Sequence, residues 1–190
     1  MFRMTTLARA AAIAVVALTG TVAFEAPASA KTVMVGGAPM YPSKNIIENA
    51  VNSKDHTTLV AAVKAAGLVD TLSGPGPFTV FAPTNEAFAK LPAGTVDTLV
   101  MPANKKMLTS ILTYHVIPGR VTAADIMAAA KKMGGKAEYK TVNGETLTFM
   151  VKGKSITIVD AKGDKAKITI PNVMQSNGVI HVINTVLLPG

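Results

Sequence analysis

The spacing of the apolar residues changes halfway along this chain, and that change constrains the fold more than any other feature of the sequence. Before about residue 131 the apolar side chains recur every three or four positions, as at Leu59 and Val63, which is the spacing of an amphipathic helix. From Glu138 onward they alternate with polar residues, as at Leu147 and Phe149, which is the spacing of a strand with one buried face. Helices followed by antiparallel strands predict the α+β class rather than repeated strand–helix–strand units.

Start and stop signals predict where the helices lie. A helix over 57–66 has Asp55 as its expected N-cap and Gly67 as its stop, because a short acid can accept from free N–H groups and glycine tolerates a left-handed helix end. After Pro102 a helix is expected to bury Met107 with its apolar neighbours. The other predicted helices begin near Asn45, span 85–90 behind Pro83-Thr84, and span 126–131 behind a capping box formed by Thr122 and Asp125.

The strands are bounded by glycine-containing turns. Phe78 to Phe81 predicts a short strand within the helical half, and the run from Val179 to Leu188 predicts a strand buried on both faces. Asn177-Gly178 precedes that last strand and is expected to form a tight turn with positive φ. The other turn signals lie at Asn143-Gly144, Gly153 and Gly163.

The first 30 residues have the pattern of a secretory signal peptide. Arg3 and Arg9 precede an apolar run from Ala10 to Leu18, and Ala28-Ser29-Ala30 supplies the small residues of a cleavage site. We therefore predict cleavage after Ala30 and a product that is secreted or periplasmic. No later apolar stretch is long enough to span a bilayer, so no transmembrane anchor is expected.

The rest of the chain predicts one domain behind a short leader. Residues 31–44 contain two glycines and two prolines without any periodicity, and they predict an extended leader. Residues 45–190 contain no internal repeat, and their length suits a single core. The absence of cysteine excludes disulfides, thiolate nucleophiles and cysteine-ligated metal centres.

The formal net charge of +8 raises the question of an anionic partner. Lysines are densest between Lys152 and Lys167, among the predicted hairpins. No aromatic residue is interleaved with them, and stacking of bases needs such residues, so nucleic acid is not a predicted partner. The alternative interpretation is a solvated, lysine-rich sheet edge that discourages aggregation.

The sequence contains no recognisable catalytic constellation. His56, His115 and His181 are widely spaced, no nucleophile motif or phosphate-binding loop is present, and a zinc site needs three or four converging ligands. We expect His115 and His181 to be core residues bonded to backbone, and His56 to be an exposed residue at a helix start. Met34 and Met40 could join a histidine in a Cu(I) site, but most methionines lie on apolar stripes that predict core packing. We therefore predict no enzyme activity, no metal and no cofactor.

Three segments, taken in order, resemble the fasciclin (FAS1) domain family. These segments are FTVFAPTNEAFAKL at 78–91, YHVIPG at 114–119 and NGVIHVINTVLLP at 177–189. The resemblance covers roughly 45–189, which is nearly all of the chain after the predicted signal peptide, and it implies a wedge of two β-sheets with helices packed along one side. It also implies core and turn roles for the motif residues Pro83, Thr84, Asn85, Gly119, Asn177, Gly178 and His181.

The resemblance implies a function in cell adhesion or in contact with an extracellular matrix or surface. In the family, partner contact is assigned around the Tyr-His segment and a short Asp-Ile motif, which here correspond to Tyr114, His115, Asp125 and Ile126. The expected partner is a surface protein or a polysaccharide, and the oligomeric state is not predicted. The alternative is a periplasmic carrier of a small apolar ligand, a lipid or a pigment, held between the sheets and helices.

Overall fold

The computed structural model describes residues 32–190, and the predicted signal peptide over 1–30 with its cleavage after Ala30 lies outside the described residues. No helix in the described part is both long and apolar enough to cross a membrane. The helices are α1 (Ile46–Ala50), α2 (Thr57–Ala66), α3 (Val69–Ser73), α4 (Asn85–Ala89), α5 (Thr95–Leu99), α6 (Lys105–Tyr114) and α7 (Ala123–Lys132), with 3-10 turns at Lys54–His56 and Pro102–Asn104. The strands are β1 (Val33–Val35), β2 (Ala38–Met40), β3 (Phe78–Pro83), β4 (Val116–Pro118), β5 (Lys136–Lys140), β6 (Thr146–Lys152), β7 (Ser155–Val159), β8 (Lys165–Gln175) and β9 (Gly178–Ile183).

Seven strands form one continuous sheet in the order β4-β3-β9-β8-β7-β6-β5, while β1 and β2 form a separate hairpin. Neighbouring strands are antiparallel except β3 and β9, which run parallel. The long strand β8 pairs with β7 at one end and with β9 at the other, with two register shifts along its contact with β9. Because bulges bend a strand, the sheet divides at β8 into the two halves of the predicted α+β wedge.

Two apolar cores lie on opposite faces of β3. Val80 and Ala82 belong to the helix-side core, which gathers residues from α1 to α6. Phe81, between them, belongs to the sheet-side core, which joins the inner faces of β6 and β7. Six helices therefore pack along one side as predicted, whereas α7 contacts β5 and β6 and covers the sheet-side core.

The predicted extended leader over 31–44 is corrected by the β1–β2 hairpin. Val35 and Met40 are buried in the helix-side core, so this segment packs as part of the domain. Gly36 and Gly37 form the turn with φ 56 and 76, and the Gly36 carbonyl accepts from Lys54 N–H at 3.1 Å. Each strand has only three residues, which is too short for alternation to identify it in the sequence.

Helix caps agree with the sequence where the cap is local. Gly67 ends α2 in the left-handed region with φ 72, and Thr122 and Asp125 complete a capping box at α7. Asp55 is not the N-cap of α2. The Asn85 Oδ1 atom instead accepts from Thr58 N–H at 3.0 Å, so the first turn of α2 is capped by a side chain 27 residues away.

The prediction that most methionines pack the core is wrong. Met34, Met101, Met107, Met133 and Met150 are exposed, and Met40 is buried. Met107 lies on the solvent side of α6, which buries Leu108, Ile111 and Leu112. The predicted positive φ at Asn177-Gly178 is also wrong, since neither residue lies in that region.

Candidate functional site

The four residues predicted to bind a partner do not form one surface. Tyr114 and Ile126 have no exposed area and His115 is 2% exposed, whereas Asp125 is exposed. The Tyr114 hydroxyl accepts from Ala161 N–H at 2.9 Å and donates to the Thr146 carbonyl at 3.4 Å. Burial raises the pKa of Tyr114, as expected for a phenol held neutral in a core. This residue therefore joins α6 to the sheet.

The Asp125 carboxylate is held by hydrogen bonds from Thr122 at the start of α7. It accepts from Thr122 N–H at 2.8 Å and from Thr122 Oγ1 at 2.7 Å. These two hydrogen bonds lower the pKa of Asp125, because they favour the ionised carboxyl. The contacts account for the acid as part of a capping box, and Ile126 beside it packs in the sheet-side core.

His115 closes the end of α6 and anchors the C-terminal segment. Its Nδ1–H donates to the Ile111 carbonyl at 2.8 Å, and its Nε2 accepts from Leu187 N–H at 3.0 Å. Burial lowers the pKa of His115 to about 4, against smaller opposing effects of the Ile111 carbonyl and of Asp160. The ring is therefore neutral at pH 7, with both nitrogens in hydrogen bonds to backbone.

His181 has the same kind of role in the other half of the molecule. Its Nε2–H donates to the Val121 carbonyl at 2.9 Å, and its Nδ1 accepts from Asn172 N–H at 3.2 Å. The ring stacks on Phe81 at 5.5 Å between centroids. Burial lowers the pKa of His181, which keeps this ring neutral while it supports the positive-φ residue Asn172 in β8.

The predicted motif residues of the first two segments hold elements together. Pro83 ends β3, and Thr84 Oγ1 caps α4 by accepting from Ala87 N–H at 3.3 Å. Asn85 donates from Nδ2 to the Lys54 carbonyl at 2.8 Å, besides capping α2. The Gly119 carbonyl accepts from Thr79 Oγ1 at 2.7 Å, and φ 97 at Gly119 explains the need for glycine in that turn.

Asn177 and Gly178 fix three elements at the start of β9. The Asn177 side chain accepts from Ile46 N–H at 3.0 Å and donates to the Leu72 and Gly74 carbonyls at 2.8 Å each. Gly178 is required by close approach, because a Cβ there would overlap the backbone of Phe78. The sequence identified the right pair of residues, but the physical reason is packing and not a turn with positive φ.

His56 lies at a cavity that the sequence did not predict. It was expected at an exposed helix start, yet it is 3% exposed and lines an apolar cavity. A single histidine beside a helix start carries no sequence signal of burial, because the enclosing residues are far along the chain.

Met34 and Met40 lie on opposite faces of the β1–β2 hairpin, one exposed and one buried, so they cannot share a metal ion. Within 32–190 no cluster of three metal-ligating His or acidic side chains is found.

The outward face of β5 to β8 presents a basic surface, where the sequence offered a lysine-rich sheet edge as one interpretation. Strand register aligns Lys136, Met150, Thr157 and Lys167 in one row across the four strands. The neighbouring row ends in Lys165. We call this surface the basic face. Its exposed lysines are Lys136, Lys140, Lys152, Lys165 and Lys167. Glu138 on β5 lies on the same face, between Lys136 and Lys140.

A shallow depression on the basic face is lined by Lys136, Met150, Lys152, Thr157 and Lys165. Lysine ammonium groups around such a depression attract carboxylate, sulfate or phosphate groups. The ring of Tyr139 on β5 packs edge-on against Phe149 in the sheet-side core, so it does not offer a stacking platform on the outward face. The basic face therefore presents several ammonium groups to solvent on one side of the sheet.

Comparison with known proteins agrees with this architecture. A sequence model of the Fasciclin domain matches residues 54–189. Protein sll1483 of Synechocystis sp. is 46% identical over 184 residues, which are 93% of this chain and 95% of that protein. The cell surface glycolipoprotein MPB83 of Mycobacterium bovis is 37% identical over 149 residues, which are 74% of this chain and 58% of that protein.

A solved structure supports the fold independently. The FAS1 domain pair from the insect cell adhesion molecule Fasciclin I matches with a TM-score of 0.67 at 21% identity. The match covers 76% of this chain and 51% of that chain. At this identity the likeness concerns the fold alone.

Proposed function

The chain belongs to the fasciclin domain family, and from that premise we propose that it is an exported, non-catalytic binding module that attaches to a polysaccharide or protein of a cell surface. One relative supports a surface role, since MPB83 of Mycobacterium bovis is a cell surface glycolipoprotein. Export through the signal peptide over 1–30 is part of this proposal.

The non-catalytic part of the proposal is supported by how the histidines are used. His115 and His181 each place both ring nitrogens in hydrogen bonds to backbone atoms inside the fold. A general acid or base must exchange a proton with a substrate, and these rings are committed to holding elements together.

The observation that carries the binding proposal is the basic face. Five exposed lysines surround or flank one depression on a rigid sheet, and rigid elements position a binding surface better than loops do. We assign the partner to molecules that present repeated carboxylate, sulfate or phosphate groups, such as an acidic polysaccharide of an envelope. Tyr114, His115 and Ile126 contribute by holding the fold, because they are buried.

A charge-reversal experiment tests this assignment. The variant with Lys152→Glu, Lys165→Glu and Lys167→Glu is compared with a control carrying Lys54→Glu, Lys105→Glu and Lys106→Glu on exposed positions of the helical side. Both triple variants change the net charge by the same amount. Binding to intact cells and to envelope polysaccharide is measured as a function of salt, because screening weakens exposed charge contacts.

We expect the basic-face variant to bind roughly tenfold more weakly or worse, since the lysines supply the attraction to the partner. The control should bind like the parent protein. Equal losses in both variants would mean that only net charge matters and would refute the assignment to this face. Binding that is unaffected in both would refute a charge-based partner.

A further inference from the structure

A second candidate site lies inside the domain, away from the basic face. A cavity of about 50 Å³ is enclosed by α1, α2 and α3 on one side and by β3 and β9 on the other. Its wall is largely aliphatic, with Val35, Met40, Leu59, Val63, Val80 and Ile180 among its lining residues. The β1–β2 hairpin supplies two of these side chains, so the segment expected to be a leader closes the cavity.

One buried polar atom at this cavity has no partner. His56 Nδ1 lies 2.8 Å from Ser53 Oγ, whereas His56 Nε2 is buried without a hydrogen bond to any described residue. Burial lowers the pKa of His56, against smaller opposing effects of the Ala82 backbone and of the Asp55 charge. The nearby Ala82 backbone does not reach hydrogen-bond geometry with Nε2. A neutral ring with an unpaired nitrogen beside an apolar space is unfavourable unless something else bonds to it.

Ordered water would have few polar partners in this cavity. A buried water is held by two to four polar partners, and the polar atoms around the cavity are few. Both nitrogens of His115 are already bonded, and the Ser53 hydroxyl is bonded to His56. A molecule with an apolar body and one polar group would fill the space and bond to His56 Nε2 at the same time.

The Ser53–His56 pair allows that polar group to be a donor or an acceptor. If the Ser53 hydroxyl donates to Nδ1, then Nε2 carries the proton and donates; if Nδ1 donates to Ser53, Nε2 accepts. Gly36 packs directly on this pair, since a Cβ at that position would overlap Ser53 Oγ. The hairpin turn therefore fixes Ser53, and Ser53 orients the ring.

Partly exposed side chains lie on the α1–α2 side of the cavity. Ile47, Ala50 and Val60 line the cavity and are only partly buried, and the exposed Lys64 lies at the same rim. Helix α1 packs against α3 and β2, whereas α2 packs against α6 and α4. The two helices at the rim are thus anchored to different neighbours, and entry of a small molecule between them is part of the proposal.

We propose that this cavity binds a small neutral molecule with an apolar body and a single hydroxyl or carbonyl group, and that His56 Nε2 makes the hydrogen bond to that group. The cavity of about 50 Å³ is less than twice the volume of one water molecule in the liquid, about 30 Å³, so the buried part of the ligand is limited to a few non-hydrogen atoms. The proposal does not depend on the adhesion role, because the cavity and the basic face are lined by different residues.

Three probes of similar size separate the two requirements of the site. Xenon is apolar and makes no hydrogen bond, 2-propanol can donate and accept, and acetone can only accept. Binding to the purified protein is followed by NMR, using backbone amide shifts around the cavity and the ring-nitrogen shifts of His56. We expect all three probes to shift the cavity amides, with dissociation constants for the two organic probes on the order of millimolar, given the limited energy available per atom.

The His56 nitrogens give a readout that packing alone does not produce. Acetone should drive the ring to the form with a protonated Nε2, because it needs a donor. Xenon should leave the ring-nitrogen shifts unchanged. If acetone and 2-propanol shift the cavity amides without moving the His56 nitrogen signals, the assigned hydrogen bond is absent and the proposal fails.

Three variants complete the test. His56→Leu should keep xenon binding and weaken 2-propanol and acetone roughly fivefold, the range of one net hydrogen bond. Ala50→Leu fills the rim and should abolish binding of all three probes, while Ala128→Leu adds the same atoms to an exposed position of α7 and should change nothing. If His56→Leu does not fold, Ala50→Leu against Ala128→Leu still decides whether the probes enter this cavity. A cavity that holds only water would show no probe shifts at the highest concentration and would overturn the proposal.

Discussion

Replacing His115 by alanine tests the assignment of this residue to the scaffold. The backbone N–H of His115 bonds to the Leu112 carbonyl, three residues back, so the Ile111 carbonyl lacks its usual helical donor. The His115 ring supplies that donor and also accepts from Leu187 N–H. His115→Ala leaves both backbone groups unpaired in the interior.

The expected loss of stability follows from these two groups. Each buried group without a partner costs about 1–3 kcal/mol, so His115→Ala should lower the free energy of unfolding by about 2–6 kcal/mol at pH 7. Since a domain of this kind is stable by roughly 5–15 kcal/mol, the melting temperature should fall by many degrees.

The same residue predicts a pH dependence with a definite sign. The pKa of His115 is lowered from 6.5 to about 4 in the folded state. Between these two pH values the unfolded chain therefore binds a proton at His115 and the folded chain does not. Its stabilising contribution is complete above pH 6.5 and decreases as the pH falls towards 4. At pH 5 this decrease amounts to about 2 kcal/mol in the parent protein, and the alanine variant cannot experience it.

Urea unfolding at pH 7 and pH 5 measures both effects. The difference in unfolding free energy between the parent and His115→Ala should shrink by about 2 kcal/mol from pH 7 to pH 5. Thr122→Ala serves as a control, because its cap is not coupled to a group that titrates in this range. A difference that stays constant with pH, or a variant as stable as the parent, would refute the neutral, doubly bonded ring.

Further predictions concern single contacts and are measured by the same unfolding assay. Asn177→Ala removes hydrogen bonds to Ile46, Leu72 and Gly74 and should cost about 2–4 kcal/mol; a loss within error of zero would contradict its role in joining α1, α3 and β9. Tyr114→Phe removes only the hydroxyl bonded to Ala161 and Thr146 and should cost about 1–2 kcal/mol, with an unchanged fold by circular dichroism. Gly36→Ala places a Cβ at an unfavourable φ of 56 and 2.7 Å from the Asp55 backbone nitrogen, and should lower the free energy of unfolding by at least about 1–2 kcal/mol. Gly37→Ala has open space around it, so its loss of stability should come from the unfavourable φ alone.

The sequence alone determined the features that depend on neighbouring residues. The change of spacing predicted helices before strands, Gly67 predicted the end of α2, and Thr122 with Asp125 predicted the capping box of α7. These interactions join residues within about one helical turn, so the signal and the structure that it specifies lie in the same short segment. The three fasciclin-like segments added the family and its wedge.

The basic face and the buried histidine depended on tertiary contacts. The lysines of β5 to β8 were visible as a charge-rich stretch, but their common outward face follows from the register of four strands. His56 was expected to be exposed, because nothing beside it in the sequence indicates that Val35, Val80 and Ile180 line the same cavity.

The N-terminal caps of α2 and α7 show the same difference between a local sequence signal and a tertiary contact. Asp55 had the right residue type and position to cap α2, but the cap is supplied by Asn85 from the start of α4. Asn172 in β8 likewise accepts from the first N–H of α7, 49 residues back along the chain. Local sequence determined that these helix ends needed an acceptor, because the first N–H groups of any helix lack partners. Which side chain would supply it was decided only when distant segments came together, since spatial proximity between them follows from the packing of the whole fold.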